Sequence, residues 1–275
     1  MLNLTDITLP CDSDAREVSN FVRQFGAAVL PNFVAQSTLE ELQSEFRAVL
    51  KQPNNAYARP LSYQPGRAVE LSRNALPVEH YQTICSFFGS PWMRAVADSY
   101  MGHLFLLNYE LYATHEFIPA TDIAPTHHDK LWTLKFMLYL NDIDVDCGAF
   151  GVIPGSAASA RARFRGIFEK HGLKRLSMND ARYTAMENDN VSVDLPPVID
   201  IIGAAGTLIV FDSDTYHHAG SVSTSRERMI LRGHTAHKTL HRRVRKRSRQ
   251  WWRGEKRFNR VEAWADRLAD RVFQC

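Results

Sequence analysis

The stretch Pro125 to Trp132 reads PTHHDKLW, and two of its residues have metal-ligand chemistry at a useful spacing. His127 and Asp129 lie two apart. On a β-strand, residues i and i+2 point to the same face, so one strand end can aim an imidazole and a carboxylate at a common point, with His128 facing the other way. Two histidines and one carboxylate on one side of a metal, with the opposite positions open, form the donor set of non-haem Fe(II) oxygenases. A His/Asp pair by itself is more often a hydrogen-bonded corner. The metal reading therefore requires a third ligand from another strand.

A candidate segment lies downstream, GTLIVFDSDTYHHAGSVSTSRERMILRG from Gly206 to Gly233. It reads as a strand ending in His217 and His218, a polar turn around Gly220, and a returning strand that begins with Arg226 and Arg228. The two arms of a hairpin lie within side-chain reach of each other. A histidine on the first arm can bind a metal while an arginine on the second binds a group beside it. Arginine suits a carboxylate, which it holds with two parallel hydrogen bonds. A dicarboxylic cosubstrate that chelates the metal at one end and meets arginine at the other fits this pattern. Strand parity leaves His217 and His218 both open as the third ligand.

The elements that must position these residues follow from periodicity. DAREVSNFVRQFG places Val18, Phe21, Val22 and Phe25 at helical spacing and ends at Gly26. STLEELQSEFRAVL puts Leu39, Leu42, Phe46 and Leu50 on one face, with Ser37 and Glu40 spaced as a capping box. Residues 51–78 carry five Pro/Gly breakers and read as loop, and 79–101 read as helix. From about Leu104 the chain turns to short runs rich in aromatic and β-branched residues, separated by turn signals, which are strands. ARARFRGIFEKHG and SMNDARYTAMEN interrupt them as an excursion between strands. The expected fold is mainly β with flanking helices: one domain with a helical part over about 1–103, a barrel or jelly-roll core over about 104–236, and a basic helical extension over 237–275.

With these segments in order, the chain resembles the phytanoyl-CoA dioxygenase-like branch of the Fe(II)/2-oxoglutarate oxygenases. FVRQFGAAVLPNFVAQSTLEELQSEF resembles that family's N-terminal signature, and THHDK its HxD motif. LNDIDVDCGAFGVIPGSA resembles its strand–turn segment, and GTLIVFDSDTYHHAGSVSTSRERMIL its distal histidine and arginine segment. The likeness covers most of residues 18–235. It implies a double-stranded β-helix, jelly-roll and cupin-like, and Fe(II) held by His127, Asp129 and a distal histidine. In the family that histidine usually precedes the arginine by eleven residues, which selects His217 over His218 and makes Arg228 the partner of the distal carboxylate of 2-oxoglutarate. Tyr112 is expected to line the cosubstrate pocket. O₂ is the other cosubstrate, and succinate and CO₂ are the coproducts of hydroxylation at an unactivated C–H bond. Because Asp129 supplies a carboxylate, halogenation is disfavoured. The chain departs from the family pattern at His128, Cys147, Ala157 and Ala219, which puts close analogy to fatty acyl-CoA substrates in doubt.

The substrate is less legible. Lys130 and Trp132, after the HxD, are candidates for the pocket mouth, and Arg73 could meet an anionic group. The net charge of +3 hides an asymmetry: Lys238 to Arg260 holds eleven Lys/Arg against Glu255 alone, with Trp251 and Trp252 among them. Such a tail suits a packed helix or the anionic headgroups of a membrane surface, and the acidic remainder of the chain makes nucleic acid an unlikely partner. The expected substrate is a small molecule or a lipid-linked or envelope-linked sugar. No apolar run approaches the ~20 residues of a membrane span and no signal peptide is evident, so the expected location is the cytoplasm, with peripheral contact at the inner face of the membrane. The four cysteines form no CxxC pair and predict no disulfide framework or structural zinc.

Overall fold

A computed structural model describes residues 2–51, 57–61, 66–72, 75–102, 105–120, 124–129, 133–162, 183–184 and 196–237. After a 3-10 turn at Leu4–Ile7, helix α1 spans Ala15–Phe25. The Asp14 carboxylate caps its first turn by accepting from the N–H groups of Arg16 and Glu17, each at 2.8 Å. Gly26 ends it in the left-handed region at φ 85°, where glycine carries no steric penalty. Strand β1 (Ala27–Leu30) follows at once, and then helix α2 (Gln36–Lys51). Ser37 lies inside α2 rather than at its cap, and Glu40 instead accepts from the Gln36 side-chain amide.

Strands β2 (Ala58–Pro60) and β3 (Arg67–Ser72) lie within the stretch expected to be loop. The breakers Pro60 and Gly66 fall at their ends, which is where an edge hairpin tolerates them. The helical stretch expected over 79–101 divides into α3 (Gln82–Phe88) and α4 (Pro91–Met101), with Ser90 capping and Pro91 opening the second.

The remaining strands are β4 (Phe105–Glu116), β5 (Ala124–His128), β6 (Thr133–Tyr139), β7 (Phe150–Val152), β8 (Tyr183–Thr184), β9 (Ile199–Ile201), β10 (Leu208–Asp212), β11 (His217–Ala219) and β12 (Arg228–His237). They form two antiparallel sheets. The larger runs β1-β10-β6-β12-β4-β3-β2 and the smaller β8-β5-β11-β7-β9. This is the double-stranded β-helix expected, a jelly roll in which the β5–β11 and β6–β12 pairings bring distant segments of the chain together.

Alternation along the strands sorts side chains into two cores. Leu134, Phe136 and Leu138 of β6, with Leu208, Val210 and Leu231, meet the buried faces of the helices, including Val18, Leu42, Phe46 and Val96. The intervening residues Met137 and Tyr139, with Ile209, Phe211 and Ile230, face the smaller sheet and pack on Phe150, Val152, Ile199 and Ile201. Each such fully buried aliphatic or aromatic side chain contributes about 1.5–3 kcal/mol. The inner face between the sheets is where the site lies.

Candidate metal centre

Strands β5 and β11 are antiparallel neighbours, and His127 and His217 are direct Cα partners in that ladder. Facing positions put their rings side by side, with centroids 4.4 Å apart. Asp129 lies one residue beyond β5, on the His127 side. Its Oδ1 is 3.9 Å from His127 Nε2 and its Oδ2 is 3.8 Å from His217 Nε2. One ligand atom from each of the three lies within 4.8 Å of the others, close enough to converge on a single ion. His218 takes the opposite face of β11 and pairs with Asp200 at 2.7 Å. His128 packs its ring edge-on against Tyr216 at 5.2 Å, away from the cluster.

The fit to a metal is chemical as well as geometric. His217 Nδ1 lies 2.7 Å from the Thr215 carbonyl and donates to it, which leaves the Nε2 lone pair facing Asp129. Burial holds His217 far below the usual histidine range, so it is neutral and able to ligate. For Asp129, burial opposes the charged form, but the Lys135 ammonium and the two facing imidazoles together outweigh it, and the carboxyl is held well below its usual range. Imidazole nitrogens and an ionised carboxylate are the donors that suit Fe(II).

The turn between β10 and β11 fixes the cluster. The Asp129 N–H donates to the Ser213 carbonyl at 2.8 Å, and the Ser213 N–H donates to the Thr133 carbonyl at 2.9 Å. Asp212 and Asp214, both buried, are held by Arg161, whose Nε reaches Asp214 Oδ2 at 2.8 Å and whose Nη2 reaches Asp212. The Tyr100 hydroxyl donates to Asp212 Oδ2 at 2.6 Å. Phe211 and Phe150 flank the His217 ring at 5.3 and 5.6 Å.

Arg228 opens β12 on the inner face. Its Nε and Nη2 donate to Glu116 and its Nη1 to the Gly148 carbonyl, with the side chains of Arg228 and Glu116 3% and 1% exposed. The two residues are Cα partners across β4–β12. Tyr112 lies half-buried on the same inner face, its hydroxyl donating to Glu110 at 3.1 Å and its ring 4.6 Å from that of His234. Lys130, Trp132 and Arg73 lie outside the described residues, as does the basic segment 238–260.

Sequence reasoning passed over Lys135. It is the charged residue in the apolar strand TLKFMLY, and a lysine in such a run is a signal of a buried partner. Arg232 and His234, alternating with apolar residues on β12, carry the same signal.

The fold and the triad together define the jelly-roll class of Fe(II)/2-oxoglutarate oxygenases. The chain belongs to the phytanoyl-CoA dioxygenase (PhyH) family, which it matches over residues 22–230. Among curated proteins it is 21% identical over 173 residues to the dioxygenase andF of Emericella variicolor. That match covers 54% of this chain and 57% of andF, so the chain spans a little over half the length of that relative. Among solved structures it is similar to the epimerase SnoN in complex with Fe3+, alpha ketoglutarate and nogalamycin RO, with a TM-score of 0.59 and 16% identity over 81% of this chain and 83% of that one. It is also similar to EctD from S. alaskensis with bound Fe, with a TM-score of 0.58 and 14% identity over 83% of this chain and 78% of that one. At these identities the likeness to the solved structures is one of fold.

Proposed function

We propose that the protein is an Fe(II)/2-oxoglutarate-dependent dioxygenase that hydroxylates an unactivated C–H bond, and that His127, Asp129 and His217 hold the iron. The observation that carries this reading is the convergence of those three donors on the inner face of the barrel. Iron with 2-oxoglutarate and O₂ supplies the oxidation, with succinate and CO₂ as coproducts. The chain's own part is to hold three ligands on one side and leave the other side for cosubstrate and O₂. The Thr215 carbonyl fixes the His217 tautomer, and Lys135 keeps Asp129 ionised before the metal arrives. Phe150 and Phe211 form an apolar wall beside His217 that keeps water away from it.

The proposed substrate is a small molecule or a lipid-linked or envelope-linked sugar, and the charge and tryptophans of residues 238–260 support docking on an anionic membrane surface. Among the described residues no helix is long and apolar enough to cross a membrane. The test of the reaction class is aerobic turnover. Purified protein supplied with Fe(II) and 2-oxoglutarate is expected to release succinate slowly alone and faster with substrate. Asp129→Ala is expected to release none above background, and equal release by the two would refute the reading. The membrane proposal is tested separately by co-sedimentation with anionic vesicles, which deletion of 238–275 is expected to abolish.

A further inference from the structure

The ion pairs around the triad leave one cation over. Asp129 is paired with Lys135, Glu116 with Arg228, and Glu70 with Arg59. Arg232 on β12 forms no ion pair with any of the described residues, and its buried Nε has no hydrogen-bond partner. Its guanidinium lies over the Tyr112 ring at 5.2 Å. Two residues further along the same face, the buried His234 Nε2 has no partner either. His234 is flanked by Lys135 on β6, which joins it to the triad through Asp129, and by Glu110 on β4. Glu110 accepts from the Tyr112 hydroxyl at 3.1 Å, and its Oε2 lies 3.8 Å from His234 Nδ1.

A buried N–H without an acceptor is rare in folded proteins and calls for a group that meets it. Water meets an N–H but does not neutralise a half-buried guanidinium, whereas an anion does both. The cosubstrate is not that anion. The resemblance to the family gives its distal carboxylate to Arg228, which opens β12, and Arg232 stands four residues on, roughly 13 Å along the strand. A divalent ion in the triad and the dianion 2-oxoglutarate also cancel each other. The charge still to be met is that of Arg232, and the molecule left to meet it is the substrate. A carboxylate fits, because it carries one negative charge and its two oxygens match the forked guanidinium.

Resting on the Fe(II)/2-oxoglutarate reading above, we propose that Arg232 is a specificity-determining residue that anchors a carboxylate of the substrate, so that the substrate class is narrowed to carboxylic acids. Arg232 offers its unpartnered Nε and one Nη of the same fork to the two oxygens. Tyr112, under the guanidinium, acts as a positioning residue for it and sets the anchor on the β4 side of β12. His234 presents its Nε2 to a polar group next to the carboxylate.

The test uses the full chain loaded with Fe(II) and 2-oxoglutarate, without O₂ and at constant ionic strength. The probes are propionate and its uncharged isostere propionamide. Their binding is read by saturation-transfer NMR, and the cosubstrate is followed by the visible charge-transfer band of its chelate. Wild type is expected to prefer propionate by about 10-fold, the worth of a hydrogen bond between charged groups, with the band retained. Arg232→Met is expected to lose that preference while still giving the band, which shows that the variant is folded and loaded. Arg232→Lys is expected to keep part of the preference. No preference in wild type, or an undiminished one in Arg232→Met, would overturn the proposal and leave the oxygenase reading standing. Loss of the band as propionate binds would place the probe in the cosubstrate's subsite and overturn the proposal as well. Dimethyl phosphate, in a third arm, separates the two kinds of monoanion. If it binds more tightly than propionate and depends on Arg232, the carboxylic-acid assignment falls in favour of a phosphodiester. A wild type that binds Fe(II) and gives no band with 2-oxoglutarate would overturn the oxygenase reading and the proposal together.

Discussion

At the residue scale, the site depends on which side of a strand each histidine takes. His217 and His218 are adjacent in sequence, and alternation alone sends one to the metal cluster and the other to Asp200. Replacing His217 or Asp129 with alanine is expected to weaken Fe(II) binding by more than about 100-fold, beyond the 10–100-fold that loss of a ligand's supporting partner costs. His218→Ala is expected to leave it within about threefold, since it removes no ligand. Calorimetric titration of Fe(II) under argon checks both. His234 makes a separate prediction. Burial, with help from Lys135, lowers its pKa to about 3, whereas an unfolded histidine titrates near about 6.5. Below that higher value the unfolded chain takes up a proton that the folded chain refuses, so stability falls as the pH drops from about 6.5 toward 3, by up to about 1.4 kcal/mol per unit. In urea titrations at a series of pH values, His234→Gln is expected to show a shallower decline over this window. An unchanged slope would mean that His234 is not held neutral.

At the scale of elements, the helices and central strands were legible because their periodicity is strong, and the ends were less so. α1 runs from its Asp14 cap to its Gly26 stop, as its spacing predicts. The apparent capping box of Ser37 and Glu40 misplaced the start of α2, because the helix already includes Gln36 and Ser37, and Gln36 takes the glutamate. β2 and β3 were hidden by Pro60 and Gly66 at their ends, whose meaning depends on being at a sheet edge, a property of the assembled sheet. The HxD was legible from spacing, whereas the choice of His217 over His218 came from the resemblance to the family, since strand parity left both open. The engagement of Arg228 by Glu116 was not legible, since it depends on the β4–β12 register across more than a hundred residues. Gly26 ties an element boundary to the site. A Cβ there would lie 2.2 Å from Thr215 Oγ1, and the Thr215 carbonyl orients His217. Gly26→Ala is expected to cost about 1–3 kcal/mol from crowding and left-handed strain together. It is also expected to weaken Fe(II) binding, a coupling checked by measuring the thermal midpoint and the metal titration on one preparation.

At the scale of the whole molecule, two sheets enclose an interior that is apolar at Ile209, Phe211 and Ile230 and charged along β4 and β12. The Arg228–Glu116 pair joins β12 to β4 and, through the Gly148 carbonyl, to the segment that leads into β7. Glu116→Ala leaves Arg228 charged and buried, and is expected to cost about 3–5 kcal/mol in urea unfolding, whereas Glu116→Leu with Arg228→Met is expected to recover most of it. A double variant no more stable than the single one would show that the pair does more than neutralise itself. The central claim is that this interior holds Fe(II) and 2-oxoglutarate at His127, Asp129 and His217. It is tested most directly by titrating metal-free protein with Fe(II) and 2-oxoglutarate without O₂ and recording the visible spectrum. The account predicts a charge-transfer band in wild type and in His218→Ala, and none in His217→Ala. A wild type that binds Fe(II) and shows no band on addition of 2-oxoglutarate, or a band that survives in His217→Ala, would contradict it.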